Sequence, residues 1–444
     1  MFRKSQGAML ALLVACMPLL AHAQDGAVDR LRIHGSNTLG VKLVPALVES
    51  WLRSIGYVHV QRHQVSAQRL DIAAVRDGVP LLVEIEGRGS AAGMRDLIDG
   101  NAELAMLARA PSAQERDDGW QLGNLDSADQ AFVIALDGIV AVVRNDSPVR
   151  ALRIDQLRGV LSGRTQDWRE VGGPSLAIHA HLPARDSGSR ELLEQRVLAG
   201  VAPDAHVAVD PTARATFAAI AGDPGAIGIV SLRDPLPAGM RTLAIADGGD
   251  PVAPTRLQVL SEDYPLMRRL TLYGGQMMTA LGRSFALYAT TAAGQQAVAD
   301  AGHIALTLRP VAQQPVRSGW RPYAELVADA ERVPLSLRFN YQNPYSLFDS
   351  RSERDLERLA AFMRLPRNRA RSATVVAFAA PAPGTSALMA TIASNDRADI
   401  VAAQLQRLGV RVGRARGLGA ARPLAAASAM DARFRNERVE VWLR

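Results

Sequence analysis

Residues 136–173, LDGIVAVVRNDSPVRALRIDQLRGVLSGRTQDWREVGG, pass from an unbroken apolar run at 138–143 to an amphipathic run at 154–161. The first has the length and composition of a buried strand, and the second repeats its apolar residues at helical spacing. The same alternation extends outward on both sides. Towards the N-terminus the pattern predicts strands over 30–34, 81–85 and 103–107, with helices over 38–52 and 93–98. Towards the C-terminus it predicts helices over 190–198 and 211–221, a strand over 226–230 and a long helix over 266–285. Strands alternating with helices imply α/β layering.

Residues 310–333 carry Pro310, Pro315 and Pro322 among mixed polar residues and read as a connector. Beyond it the pattern restarts. Strands are expected at 334–339, 373–378, 410–417 and 438–443, and helices at 352–363 and 395–408. A unit of about 110 residues is enough for a compact domain with its own core.

The chain has 444 residues, room for two or three domains. Its single cysteine, Cys16, excludes an internal disulfide and a cysteine-based metal site. Of the eight histidines only His59 and His63 stand at HxxxH spacing, and no HExxH motif is present, so no metal or other cofactor is expected. The net charge of +7 is uneven: residues 334–444 hold 18 Arg against 9 Asp and Glu, and residues 24–333 are slightly acidic. Lys4 and Lys42 are the only lysines, a bias consistent with base composition. A basic tail on a faintly acidic body predicts different partners for the two parts, and nucleic acid is not among those expected.

The N-terminus reads as an export signal over residues 1–23: Arg3 and Lys4, an apolar run over 9–20, and Ala21-His22-Ala23 before Gln24. Twelve apolar residues are too few to span a bilayer. Leu13-Val14-Ala15-Cys16 offers a competing reading as a lipoprotein box, in which Cys16 is acylated. Either route places the protein in the periplasm, where a wall or outer-membrane association is a further possibility.

Three small-residue turns carry the chemistry. Gly35-Ser36-Asn37-Thr38 lies between a strand and a helix, Gly87-Arg88-Gly89-Ser90-Ala91-Ala92-Gly93 opens a second helix, and Ala184-Arg185-Asp186-Ser187-Gly188-Ser189 a third. Backbone N–H groups at helix starts, joined by hydroxyls and one Arg fork, suit a tetrahedral oxyanion. A Ser at any one of these positions is ordinarily just a helix cap. The three in this order say more.

Over about residues 30–310 the sequence resembles the phosphate-binding proteins of ABC uptake systems, which have the two-lobed type II periplasmic-binding-protein fold. GRGSAAGMRDLIDGNAELAMLAR at 87–109, the 136–173 stretch with Ser162-Gly163 and Trp168, and GAIGIVSL at 225–232 carry the likeness. The resemblance implies an anion-binding domain over 24–309, with lobe 1 at about 24–137 and 256–309 and lobe 2 at about 138–255. Hinge crossings would then fall near 137 and 256. It implies a phosphate or related oxyanion held by Ser36, Asn37, Thr38, Ser90, Arg185, Ser187, Gly188 and Ser189, with Arg185 as the principal cation. An ABC-transporter membrane complex would be the partner. The chain departs from the family at Leu107 and Ala108, where a polar residue or an Asp accepts the anion's proton, and its third turn is about two residues shorter. Arg88 and Arg109 could compensate, or stand as solvated surface charges. Arg268 and Arg269, in SEDYPLMRRLTLY at 261–273, are read as helix-surface charges.

Residues 334–444 resemble the OmpA C-terminal family, a small α+β domain that binds peptidoglycan noncovalently. LRFNYQNPYSLFDSRSERDLERLAAFM, SNDRADIVAAQLQRLGV and ARFRNERVEVWL carry the match. It implies a peptide-stem clamp of one Arg and one Asp. Arg397 takes the Arg position, and Ala380 replaces the Asp. Two further classes compete with an anion-binding protein: a structural or signalling protein whose cleft has lost its ligand, and an enzyme. Ser187 and Ser189 have no neighbouring His in sequence, and no GxSxG elbow is present, so an enzyme is not expected.

The export reading predicts a mature chain beginning at Gln24. N-terminal mass analysis of protein recovered from the periplasm tests it, and a diacylated Cys16 would overturn it.

Overall fold

The computed structural model describes residues 28–312, 320–340, 346–380, 384, 386–429 and 431–444. The export segment, and with it the choice between cleavage after Ala23 and acylation of Cys16, lies outside them. No helix among the described residues is long and apolar enough to cross a membrane.

The strand Ala131–Arg144 is buried along almost its whole length and belongs to two bodies at once. Up to Gly138 it pairs with the antiparallel strand Met267–Tyr273. From Ile139 it pairs instead with Ala226–Ser231 and Met240–Thr242. The first body continues its sheet through Leu104–Leu107, Asp29–Gly35, Val79–Gly87, Arg69–Arg76 and Val58–Gln64. The second continues through His179–Pro183 and Ala208–Asp210. Asp29–Gly35 is parallel to both its neighbours, as crossover helices require. Each body has its own apolar core, one around Trp51, Leu31 and Phe285, the other around Trp168, Leu193 and Tyr264.

The C-terminal domain is a five-stranded sheet in the order Val311–Ala312, Glu331–Arg338, Arg438–Leu443, Ala373–Ala377, Val412–Gly417. Alternation along these strands sends Val333, Leu335, Val375, Val439 and Val441 to one face, beneath the helices Ser350–Arg364 and Ala387–Arg407. Val376, Phe378 and Trp442 point the other way and pack on Tyr323 and Val327 of the helix Arg321–Val327. The stretch read as a connector is therefore largely structured: it holds that helix, and the first long strand of the domain begins inside it at Glu331.

Two further readings are corrected. The long helix expected over 266–285 is a strand, Met267–Tyr273, and a separate helix, Ala280–Tyr288, capped by Thr279 Oγ1 at 3.1 Å from Gly282 N. The strand lies between two others and is buried on both faces, and its buried residues include Arg268 and Thr271, so no clean apolar alternation marks it. Arg268 and Arg269 accordingly are not helix-surface charges. Both sit on this strand, and Arg268 is buried. The hairpin of Val58–Gln64 and Arg69–Arg76 was not expected either: its first strand is polar and exposed, while its second sends Ile72 and Ala74 into the core of the first body.

The C-terminal domain is seated against the second crossing between the lobes. Glu262 lies there at φ 58°, a left-handed conformation uncommon for a residue with a Cβ. Its carboxylate is buried and takes the Arg269 fork at 2.6 and 2.8 Å, Arg338 at 3.3 Å, and Arg351. Arg338 and Arg351 come from the C-terminal domain. Beside them Asp263 pairs with Arg332 at 2.9 Å. Burial alone would raise the Glu262 pKa, but the charges of Arg269, Arg351 and Arg338 outweigh it and hold the carboxyl well below the usual range. Burial pushes Arg338 down to about 10, which still leaves it charged at neutral pH.

Glu262→Gln leaves buried guanidiniums uncompensated and should cost about 3–5 kcal/mol in denaturant unfolding. Because the folded-state pKa lies below the unfolded one, this stabilisation is complete above about pH 4.3 and is lost as pH falls further. The stability gap between wild type and variant should therefore narrow on acidification below that point. A gap that stayed constant to pH 2–3 would contradict the assignment.

Candidate functional site

The first and third turns face each other across the groove between the two lobes. Ser36 caps the helix Asn37–Gly40, its Oγ accepting from Thr38 N at 3.3 Å. Gly35 must be glycine, because a Cβ there would lie 2.1 Å from the Met106 carbonyl oxygen. Opposite, Ser187 caps Gly188–Leu193: its Oγ accepts from Arg190 N at 3.1 Å and donates to the Ala184 carbonyl at 2.7 Å. The lobes come so close that a Cβ on Gly188 would stand 2.2 Å from Thr38 Oγ1 and 2.7 Å from Arg268 Nη2.

A cavity of about 400 Å³ opens beside this contact. Of the residues singled out in the sequence, Asn37, Thr38, Ser187, Gly188 and Ser189 line it. Ser36, Ser90 and Arg185 do not. Ser36 is buried behind the turn. Ser90 is also buried, and its Oγ accepts from Ala108 N at 3.2 Å, which ties the second turn to the end of the neighbouring strand. The second turn is thus a packing element, and Gly93 within it lies directly against Gly35. Arg185 is exposed to solvent. Shortening the third turn leaves its Arg outside the groove, where the resemblance had implied the main cation. Arg88 and Arg109 are also committed elsewhere, Arg88 to Glu86 and Asp96, Arg109 to Glu115 through two contacts of 2.6 Å.

The cations that do line the cavity are Lys42, Arg233 and Arg268. Arg268 is 4% exposed and joins three parts of the fold. It donates to Asp137 Oδ2 at 3.0 and 3.2 Å, to Glu191 of the second lobe at 3.2 Å, and to Thr38 Oγ1 of the first lobe at 3.2 Å. Asp137, buried where the shared strand changes partners, also takes Arg233 at 3.3 Å. His303 Nε2 lies 3.3 Å from Arg233 Nη1. Burial, with Arg233 and Lys42 nearby, lowers the His303 pKa to about 4, so the ring is neutral near pH 7. Asp234 on the same wall accepts from Ser231 N at 3.0 Å, and burial, reinforced by Asp137, raises its pKa. Three basic and three acidic side chains, the last being Asp210, thus balance within the cavity. Nothing in sequence marks Arg268 or Asp137 as neighbours, since 131 positions separate them.

In the C-terminal domain Arg397 stands on the helix Ala387–Arg407, with Nη2 3.1 Å from Glu437 Oε2. Glu437 also receives Arg433 at 3.2 Å. Arg397 therefore already holds a carboxylate of its own chain. Ala380 is partly buried, and residues 381–383 and 385 lie outside the described residues.

Two lobes sharing a strand, with helix starts converging on a groove, define a bilobal solute-binding fold. The family comparison agrees: residues 67–293, about half of the chain, match the model for the PBP superfamily domain, and residues 341–437 match the OmpA family. The chain belongs to the PBP superfamily and carries an OmpA-family domain behind its binding domain. It is 24% identical over 226 residues to the phosphate-binding protein PstS of Bacillus subtilis (strain 168), covering 51% of this chain and 71% of the relative. It is 27% identical over 113 residues to PstS of Staphylococcus haemolyticus (strain JCSC1435), covering 25% of this chain and 35% of the relative. In fold it is similar to the crystal structure of an ABC-type phosphate transport receptor from Vibrio cholerae. That match has a TM-score of 0.50 and 19% identity, and spans 62% of this chain and 99% of the receptor.

His303 gives a direct check on the cavity floor. Its ring resonances, followed by NMR, should titrate near pH 4 and stay flat between pH 6 and 8. Because the unfolded chain binds this proton more readily, His303 should lower stability as pH drops below about 6.5. A midpoint above 6 would place the ring in water and contradict the buried pairing with Arg233.

Proposed function

We propose that this protein is an extracytoplasmic solute-binding protein that captures inorganic phosphate or a related oxyanion between its lobes. The OmpA-like domain associates it with the cell envelope, and a membrane transport complex receives the anion. The observation that carries the reading is the meeting of Thr38 and Gly188 over the buried Arg268, which brings hydroxyls and helix starts from both lobes around one cation. The first N–H groups of the helix Gly188–Leu193 have no intrahelical partner and are suited to anion oxygens. Asn37, Thr38, Ser187, Gly188 and Ser189 are the proposed ligand set, Arg268 supplies the charge, and Ser36 and Ser90 shape the turns. Arg185, at the rim, is at most an attracting charge.

Capture rather than turnover fits the polar groups. Ser187 Oγ is committed to backbone partners, and His303 Nε2 faces Arg233 rather than a hydroxyl. The balance of acidic and basic groups favours a modest affinity, and in the limit a cleft without ligand that serves a structural or signalling role.

Calorimetric titration of the full chain with phosphate and then sulfate tests the reading. Arg268→Ala should weaken phosphate binding by about 2–5 kcal/mol, as expected for truncating one side of a desolvated charge pair. Arg268→Lys should also lose affinity, because the planar fork is lost. Arg185→Ala should change affinity by less than about twofold, because an exposed charge is screened within about 8 Å. No heat with either anion would leave the structural reading standing.

Envelope association through peptidoglycan has its own test. With Glu437 on Arg397, wild-type protein should sediment with purified sacculi only weakly once salt screens the basic surface. Glu437→Ala should raise the salt-resistant fraction, and the further change Arg397→Ala should abolish it. Indifference to both substitutions would remove Arg397 from any wall contact.

A further inference from the structure

The C-terminal domain grips both lobes and the crossing between them. On the first lobe Arg354 donates to the Ala128 carbonyl and lies over the Phe132 ring, 4.6 Å from its centroid. At the crossing, Arg338 and Arg351 hold Glu262. On the second lobe Arg435 pairs with Asp247, and Asp431 pairs with Arg196. The backbones there are in contact as well: Ala425 bridges to Asp247, and a Cβ on Gly249 would fall 1.9 Å from the Pro423 carbonyl oxygen.

One short segment, 431–437, gathers these ties. It carries Asp431 and Arg435 towards the second lobe. Its Phe434 and Arg435 carbonyls accept from Arg338, the same side chain that holds Glu262 at the crossing. The Phe434 ring lies beneath both Arg338 and Arg269, at 4.7 and 5.2 Å. Arg435 and Arg338 are 6% and 1% exposed in their side chains, so salt screens these ties weakly.

Rotation of one lobe against the other about the Ala131–Arg144 strand would carry Asp247 and Arg196 away from Ala128 and Phe132. A third body fixed to both lobes resists that rotation. We propose that the C-terminal domain is a brace: it holds the two lobes in one nearly closed arrangement, and the cleft opens only when the 431–437 segment leaves the second lobe. The domain is then part of the opening mechanism rather than a passive tail, whatever occupies the cleft.

The test reads lobe separation directly. Spin labels at Ala67→Cys in the first lobe and Ser175→Cys in the second, both exposed positions, are placed in the full chain carrying Cys16→Ser. Double electron–electron resonance should give one narrow distance in the otherwise wild-type protein, unchanged by excess inorganic phosphate. Arg196→Ala with Arg435→Ala should add a longer-distance population. Arg196→Ala alone, at a side chain 38% exposed, is the milder change should the double variant fold poorly, and should give a smaller fraction of the same population. The swap Asp247→Arg with Arg435→Asp should return the narrow distance. A broad wild-type distribution, or a double variant as narrow as wild type, overturns the brace. The measurement needs no bound anion, so a cleft that fails to bind phosphate leaves the result interpretable.

Discussion

A single buried carboxylate, that of Glu262, fixes how the three bodies of this molecule meet. It projects from a left-handed residue at the point where the chain returns from the second lobe to the first. Three guanidiniums close around it, one from the strand that follows it and two from the C-terminal domain. An ion pair taken out of water contributes to stability only when its remaining polar groups are also satisfied. Arg338 meets that condition, since beyond Glu262 it reaches the Ser261 and Glu262 carbonyls on one side and those of Phe434 and Arg435 on the other. A lysine, with three donors on one atom, could not span such a set. The near-absence of lysine from the sequence, consistent with base composition, thus has structural consequences at this junction.

The cleft is built on the same economy of charge. Arg268 and Arg233 share Asp137 at the strand common to both lobes, so the groove floor is neutralised from below before any ligand arrives. What distinguishes the site is geometry rather than surplus charge. Thr38 and Gly188 approach at van der Waals limits, and the glycine is required because no side chain fits between them. Selectivity in such a groove depends on where donors point.

Much of the fold could be read from the sequence, because the lobe and domain cores rest on strands and helices whose apolar residues repeat cleanly, such as Ile154–Leu161 and Ser350–Arg364. The failures have common causes. Met267–Tyr273 is buried on both faces with Arg268 and Thr271 among its buried residues, so neither period stands out in it. The proline-containing stretch before 334 has the composition of a connector, yet Tyr323 and Val327 bury themselves against the far face of the sheet. At the site, local signals placed the turns well and the charges poorly. Ser187, Gly188 and Ser189 announce themselves by spacing, and Arg185 stands in the same turn, but its side chain goes to solvent. Arg268 and Glu437 acquire their roles only through partners distant in sequence, Arg268 from Asp137 and Thr38 and Glu437 from Arg397.

The order of strands in the C-terminal sheet bears on how the molecule is assembled. Its middle strand is Arg438–Leu443, the last of the five in chain order, flanked by Glu331–Arg338 and Ala373–Ala377. Until it is in place, the strands on either side have no ladder between them, and the two outer layers have nothing to cover. The segment immediately before it is the one that secures the second lobe. Pairings between positions so far apart close late and slowly, because loop entropy is lost before contacts compensate. A ribosome or translocase delivers this strand after everything it must join, so the domain and its grip on the lobes can only form once Leu443 has emerged.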